Sequence, residues 1–235
     1  MNGLNLTPGF LTSHRVAECV EHFWAGATGA WAAVATSGTA AALAERGGGV
    51  SLTTQAADNA IGSLTLSAKS LLPAASKPIS FGALIQFAEA ATNVGNVFVG
   101  LTSEAVATAM GADGAGPPAS YSGAGLHKVD GGLNWIAEYS VAGLQNTVEL
   151  NSAGALNSIA QVAGSSSNQL IEIDILPKTS TLCDVIFKIN DVCVAKFLDQ
   201  VFTSIAAMAP VVIVKAGSST AEVIKVRMIR FAQLY

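Results

Sequence analysis

The chain is 235 residues long, 51% hydrophobic and only 12% charged, with a formal net charge of −4. Soluble domains usually carry roughly 25% charged residues, and an acidic balance argues against duplex nucleic acid, which selects a basic face. The mean hydropathy of +0.48 raises the question of a membrane, yet no stretch supplies the ~20 consecutive apolar residues of a spanning helix.

The longest strongly apolar run, 205–214, contains Pro210, and the Ala-rich stretch 30–44 is broken by Thr36, Ser37, Gly38 and Thr39. A chain of this length can bury a sizeable core as one domain. Met1-Asn2-Gly3-Leu4 is not a basic region leading into an apolar core, so no secretory signal is expected. Cys19, Cys183 and Cys193 form no even framework and no C-x-x-C pair, which suits reduced, buried thiols made in a cytoplasm.

Residues 1–13 show no hydrophobic period and contain Pro8-Gly9, so they are expected to form an extended arm ahead of a body over 14–235. Asn2, Leu4, Leu6 and Phe10 are its candidate contact residues. From about residue 15 onward come short segments rich in Val, Ile, Thr and Phe, punctuated by Gly, Asn, Ser and Pro, which is an all-β rhythm. Leu64 and Leu66 alternate with Thr65 and Ser67. Ile79, Phe81, Ala83, Ile85 and Phe87 share one strand face, with Ser80, Gly82, Leu84 and Gln86 on the other.

Residues 103–110 alone read as helical, with Ser103 as the cap. The segment 111–125, rich in Gly, Ala, Pro and Ser, is a long loop of the kind that carries function. Asp113, Pro117, Pro118 and Tyr121 are its candidate interface residues.

Ile171, Ile173 and Ile175 alternate with Glu172, Asp174 and Leu176, giving one dry face. Asn190-Asp191 then forms a two-residue turn of type I′, since both residues tolerate positive φ. That register sets Ile189 opposite Val192 and Lys188 opposite Cys193, leaving Cys183 far from Cys193. In the last strand Lys225 and Arg227 alternate with Ile224, Val226 and Met228. With Arg230 they form a small basic cluster suited to a solvated face or an acidic partner. A dozen or so strands with almost no helix imply a two-sheet antiparallel β-sandwich.

Glu172-Ile173-Asp174 resembles the start of the carboxylate strand of sandwich-fold glycosidases, but Leu176 and Pro177 stand where the further acid would be. Retaining hydrolysis needs two carboxyls about 5–5.5 Å apart, so a solvated outer face is expected here instead of catalysis. His14, His22 and His127 have no Gly-x-Ser-x-Gly elbow and no metal-ligand spacing. His127 suits a structural imidazole. Gly47-Gly48-Gly49 precedes strand residues and not a helix, so it is no phosphate cradle. No cofactor is expected; an isolated loop calcium from Asp113, Asp130 or Asp58-Asn59 stays an open alternative. Trp24, Trp31, Trp135, Tyr121 and Tyr139 could stack on sugars, but core packing suits Trp31 and Trp135 better.

Three stretches, read together, resemble one family. Glu21-His22-Phe23-Trp24, followed by GAWAAVATSGTAAA and GGGVSLTTQAADNAIGSLTL, is similar to the opening of a family of tailed-bacteriophage virion structural proteins. KPISFGALIQFAEAATNVGNVFVGLTS with GADGAGPPASYSGAGLHKVDGGLNW resembles its middle, and QLIEIDILPKTSTLCDVIFKINDVCVA its closing hairpin. The likeness runs from about residue 15 to 231 and departs at Asn190-Asp191, where Asp-Gly is usual.

The resemblance implies a concanavalin- or laminin-G-like jelly roll, no catalytic residues, and a place in the virion. The expected role is a capsid decoration (cement) protein on the capsid surface. Its partners would be the major capsid protein and further copies of itself, a trimer among the options, with no nucleic acid and no membrane. The alternative is a glycan-binding, lectin-like module of a tail or fibre used for host attachment.

Overall fold

The computed structural model describes residues 16–23, 31–35, 38–43, 48–112 and 114–234. The expected arm over 1–13, with Asn2, Leu4, Leu6 and Phe10, lies outside them, as do Trp24 and Asp113.

The described residues form β1 (Val16–Glu21), β2 (Trp31–Ala35), β3 (Gly38–Ala42), β4 (Val50–Thr54), β5 (Ile61–Leu66), β6 (Ile79–Ala88), β7 (Gly95–Thr102) and β8 (Gly123–Lys128). The second half of the chain adds β9 (Ile136–Val141), β10 (Leu144–Glu149), β11 (Asn168–Pro177), β12 (Leu182–Ile189), β13 (Val192–Val201), β14 (Ala209–Ala216) and β15 (Val223–Leu234). They build two antiparallel sheets. The eight-stranded sheet runs β13-β12-β11-β6-β15-β4-β3, with β1 also pairing β15; the seven-stranded sheet runs β10-β9-β8-β7-β14-β5-β2.

The alternation legible in the sequence sets the core. Ile79, Phe81, Ala83, Ile85 and Phe87 of β6 and Ile171, Ile173 and Ile175 of β11 all face inward. They meet Val97, Val99 and Leu101 of β7 and Val212 and Val214 of β14 across the sandwich. Apolar side chains at every second position bury one face of each sheet, which is the arrangement that removes most apolar area from water.

The apolar run around Pro210 becomes β14, buried on both faces. Its outward side chains Val211 and Ile213 join Ile61, Phe98, Ala109, Met110 and Tyr121 in a second, smaller core. The cover over that outer face is the 103–122 segment.

The expected helix over 103–110 is absent. Bonds from Thr108 N–H to Ala105 O and from Ala109 N–H to Val106 O make it a pair of turns. Ser103 does not cap it, because its Oγ accepts the N–H of Ser122 at 2.9 Å. Tertiary packing of Met110 and Tyr121 on the sheet outweighs a short and weakly helical stretch.

A second departure lies in β15. Val226 pairs with Ile85 and Met228 with Leu84, so Arg227 is a bulge. The extra residue inverts the alternation: Ile229 and Phe231 turn inward, while Met228 leaves the face shared by Ile224 and Val226.

Candidate functional site

The outward face of the eight-stranded sheet carries the most organised polar cluster. Cross-strand register builds it. In one row Glu172 of β11 lies beside Gly82 of β6, which lies beside Arg230 of β15 and then Val20 of β1. In the next row the order is Asp174, Ser80, Ala232 and Glu18. With strands about 4.8 Å apart, the acidic wall of Glu172 and Asp174 stands three strands from Glu18. The floor between them consists of Ser80, Gly82 and Ala232, all small.

The result is a groove of about 210 Å³ lined by Glu18, Ser80, Glu172, Asp174, Arg230 and Ala232, with Phe81 and Phe231 at its base. Its charges are held in place. Arg230 reaches Glu172 Oε1 at 2.5 Å, and a Cβ on residue 82 would sit 2.8 Å from Arg230 Nε, so Gly82 leaves the guanidinium its path. Asp174 accepts from Ser80 Oγ at 2.6 Å and pairs with Lys188 Nζ at 2.8 Å. The carboxylate beside Lys188 shifts that ammonium's pKa upward.

Glu172 and Asp174 therefore share the outward face, as their spacing predicts, but each is committed to a cation. The surprise is Glu18: nothing in the linear sequence links it to 172 or 174, since only the pairing of β1 with β15 brings it there.

The other candidates fall elsewhere. Pro117 is buried and Pro118 half-buried, and Tyr121 is 1% exposed in the second core. Lys225 and Arg227 are half-buried on the outward face of β15. Arg230, grouped with them as a basic cluster, belongs instead to the ion pair with Glu172. Trp135 and Tyr139 are buried at 0% and 1%; Trp135 Nε1 donates to Gln169 Oε1 at 3.1 Å and Tyr139 Oη donates to Val201 O at 3.1 Å. Neither ring can stack on a ligand.

His127 is buried, and its Nδ1 has no hydrogen-bond partner, unlike the satisfied imidazole that its strand-like setting suggests. It lies on β8 with Nδ1 3.6 Å from Glu138 Oε2, beyond hydrogen-bond range. Burial lowers its pKa to about 3 and raises that of Glu138 to about 7. Among the described residues no group of three or more His, Cys, Asp or Glu side chains could hold a metal ion. Cys183 and Cys193 sit apart on the β12–β13 ladder, opposite Gln200 and Lys188, and all three thiols are unbridged.

No protein-family profile matches the chain, and no curated protein matches it in sequence. Solved structures do match. The carbohydrate recognition domain of Emp47p aligns with a TM-score of 0.59 and 12% identity, over 90% of this chain and 93% of that one. An endo-1,3-β-glucanase from Streptomyces sioyaensis aligns at 0.60 and 10% identity, over 93% and 96%. Peanut lectin aligns at 0.54 and 11% identity, over 94% and 99%. The fold is a concanavalin-like jelly roll. Such low identity carries the architecture of the jelly roll and not its chemistry.

Proposed function

We propose that this jelly roll is a non-enzymatic binding module that takes a carbohydrate in the groove between Asp174 and Glu18. The observation that carries the reading is the groove itself. Fixed carboxylates and a guanidinium stand around a floor of small side chains, wide enough for a flat, polyhydroxylated ring. Carboxylates and Arg offer paired acceptors and donors to neighbouring hydroxyls, and their ion pairs pre-organise them, so little ordering is needed on binding. The carbohydrate recognition domain of Emp47p and peanut lectin, which share this fold, support it. With Glu172 and Asp174 bound to cations and no acid at 176 or 177, binding fits this site better than hydrolysis.

The virion setting implied by the sequence resemblance makes the ligand a host-surface glycan. A glycan array probed with the native chain and with Ser80→Tyr, which fills the floor, tests the reading. Sugar-specific binding lost in Ser80→Tyr, with its melting temperature retained, is expected. No binding by the native chain, or binding indifferent to Ser80→Tyr, overturns it.

A second reading, capsid decoration, is favoured by the exposed apolar side chains Leu144, Leu156, Ile159, Val192, Leu198 and Val201. They belong to β10, β13 and the 150–160 loop, and uncharged surface of this kind suits protein contacts with the major capsid protein or between copies. Purified virions run on a denaturing gel would then show a 23.8 kDa band at high copy number; its absence rules the reading out.

A further inference from the structure

Two edge strands meet along one side of the sandwich: β10 ends the seven-stranded sheet and β13 ends the eight-stranded one. Asn146 Nδ2 donates to Gln200 Oε1 at 2.7 Å and ties the two edges together. β13 is guarded. Its pairing with β12 is interrupted by register shifts, Lys196 stands exposed on it, Asp199 has a φ of 54°, and Val194 O accepts the N–H of Leu156. β10 has none of these devices. From Leu144 to Val148 it carries no charge, no Pro and no bulge, and an edge of that kind pairs with another strand unless something blocks it.

The hairpin decides which backbone groups of β10 are free. Ala142 and Gly143, with φ of 48° and 96°, make a two-residue turn, so Val141 and Leu144 exchange hydrogen bonds and the exchanging pairs alternate from there. Leu144, Asn146 and Val148 therefore bond to β9, while the N–H and C=O of Gln145 and Thr147 point away from the sheet. Residues 144–147 are all exposed, Leu144 at 68%, and among the described residues nothing pairs with those outward groups. Gly154 packs against Glu149 O, which ends the open stretch.

We propose that two copies of this chain pair antiparallel through β10, about a two-fold axis at Asn146. The Gln145 backbone of one copy then exchanges hydrogen bonds with Thr147 of the second copy, and the reverse, so every outward group finds a partner. Leu144 meets Val148 of the second copy, and no like charges are opposed along the seam. Leu198 and Val201, exposed beside the Gln200 that holds Asn146, border the same seam and widen its apolar area. A two-fold contact uses both free edges and closes the assembly. Because the axis stands perpendicular to the sheet, the eight-stranded sheets of both copies face the same way, and both carbohydrate grooves lie on one side of the dimer. Paired grooves hold a glycan-bearing surface more tightly than one groove does. That consequence rests on the carbohydrate reading; the pairing itself does not.

Sedimentation of the full native chain should give twice its 23.8 kDa mass. Thr147→Pro removes an outward N–H and leaves the bonds to β9 in place, and it should halve the sedimenting mass. Asn146→Asp and Asn146→Lys each set like charges face to face at the axis, so each alone should be monomeric, whereas an equal mixture of the two should return the dimer. Melts confirm that each variant is folded. A native chain that stays monomeric up to its solubility limit overturns the proposal, as does a trimer. So does a dimer that persists in folded Thr147→Pro, or an Asp and Lys mixture that stays monomeric. A β10 dimer that binds no glycan supports the pairing and overturns the carbohydrate reading alone.

Discussion

Arg230 reaches across Gly82 to Glu172, spanning β15, β6 and β11 at 2.5 Å between guanidinium and carboxylate. Both groups are partly shielded, with side chains 29% and 13% exposed. The contact is therefore worth more than an exposed ion pair but less than a buried one, a coupling of about 1 kcal/mol. A double-mutant cycle of Arg230→Met and Glu172→Gln, read by urea denaturation, should return that coupling. Gly82→Val should reproduce much of the loss by blocking the path of the Arg230 side chain, and it should weaken glycan binding too, because it raises the floor of the groove.

Glu138 sets a pH dependence. Burial raises its pKa to about 7, offset only in part by the Tyr121 hydroxyl and by Gln145, whose Nε2 donates to Oε1 at 2.9 Å. A folded-state pKa above the unfolded value means that the folded protein holds this proton more tightly. Its contribution is complete below about pH 4.5 and is lost as pH rises towards and past 7. His127 acts in the opposite sense: its pKa, lowered to about 3 by burial, removes stability as pH falls below its ordinary range near 6.5. The two partly cancel between pH 4.5 and 6.5, so the clean observable is a difference between proteins. Denaturation of Glu138→Gln and the native chain at pH 5 and pH 8 should show the variant gaining about 2–3 kcal/mol relative to native at the higher pH.

Lys128 is wholly buried at the mouth of the sandwich, with Nζ 2.5 Å from Glu89 Oε1 and 2.8 Å from the carbonyl of Gly95. Glu222, also buried, stands in the same cluster, and desolvation raises its pKa. Lys128→Met would leave two carboxylates facing each other without a counter-charge, at a cost of about 3 kcal/mol or more. The double variant Lys128→Met/Glu89→Gln should be less destabilised than the sum of its parts, measured by chemical denaturation.

These three clusters differ in how far the sequence foretold them. The inward faces of β6 and β11 were legible because period-2 alternation is local. So was the pairing of Glu172 with Asp174 on one outward face. Glu18, Arg230 and Gly82 were not legible as a site, because they meet only through β1–β15 and β6–β15 pairing, and no local pattern encodes which strands become neighbours. Nothing local to Lys128 in the sequence marks it as buried; its place inside the sandwich depends on Glu89, 39 positions earlier, which pairs with it. The bulge at Arg227 defeated the alternation of β15 for a related reason, since one extra residue inverts every later side chain. Trp135 was correctly assigned to the core, and Trp135→Ala should cost about 3–5 kcal/mol through its cavity and the lost bond to Gln169. Any loss of ligand binding in that variant would report unfolding and not a lost stacking surface.

The β12–β13 hairpin offers the most direct test of a local sequence rule. Asn190 and Asp191 have φ of 52° and 65°, with Ile189 opposite Val192 and Lys188 opposite Cys193, as type I′ geometry requires. The two positions are not equivalent. Asn190 Oδ1 accepts the N–H of Leu170 at 2.8 Å, tying the turn to the start of β11, whereas no hydrogen bond from the Asp191 side chain supports its left-handed backbone. Replacing Asp191 by Gly removes the Cβ penalty of that conformation at the expense of a more flexible unfolded chain. The first effect is the larger in a type I′ turn, so Asp191→Gly should raise stability by a few tenths to about 1 kcal/mol. Asn190→Ala loses both the left-handed preference and the bond to Leu170 and should cost about 1–2 kcal/mol. Thermal melts of the two variants should therefore move in opposite directions, and a fall in both would mean that the Asp191 carboxylate stabilises the turn.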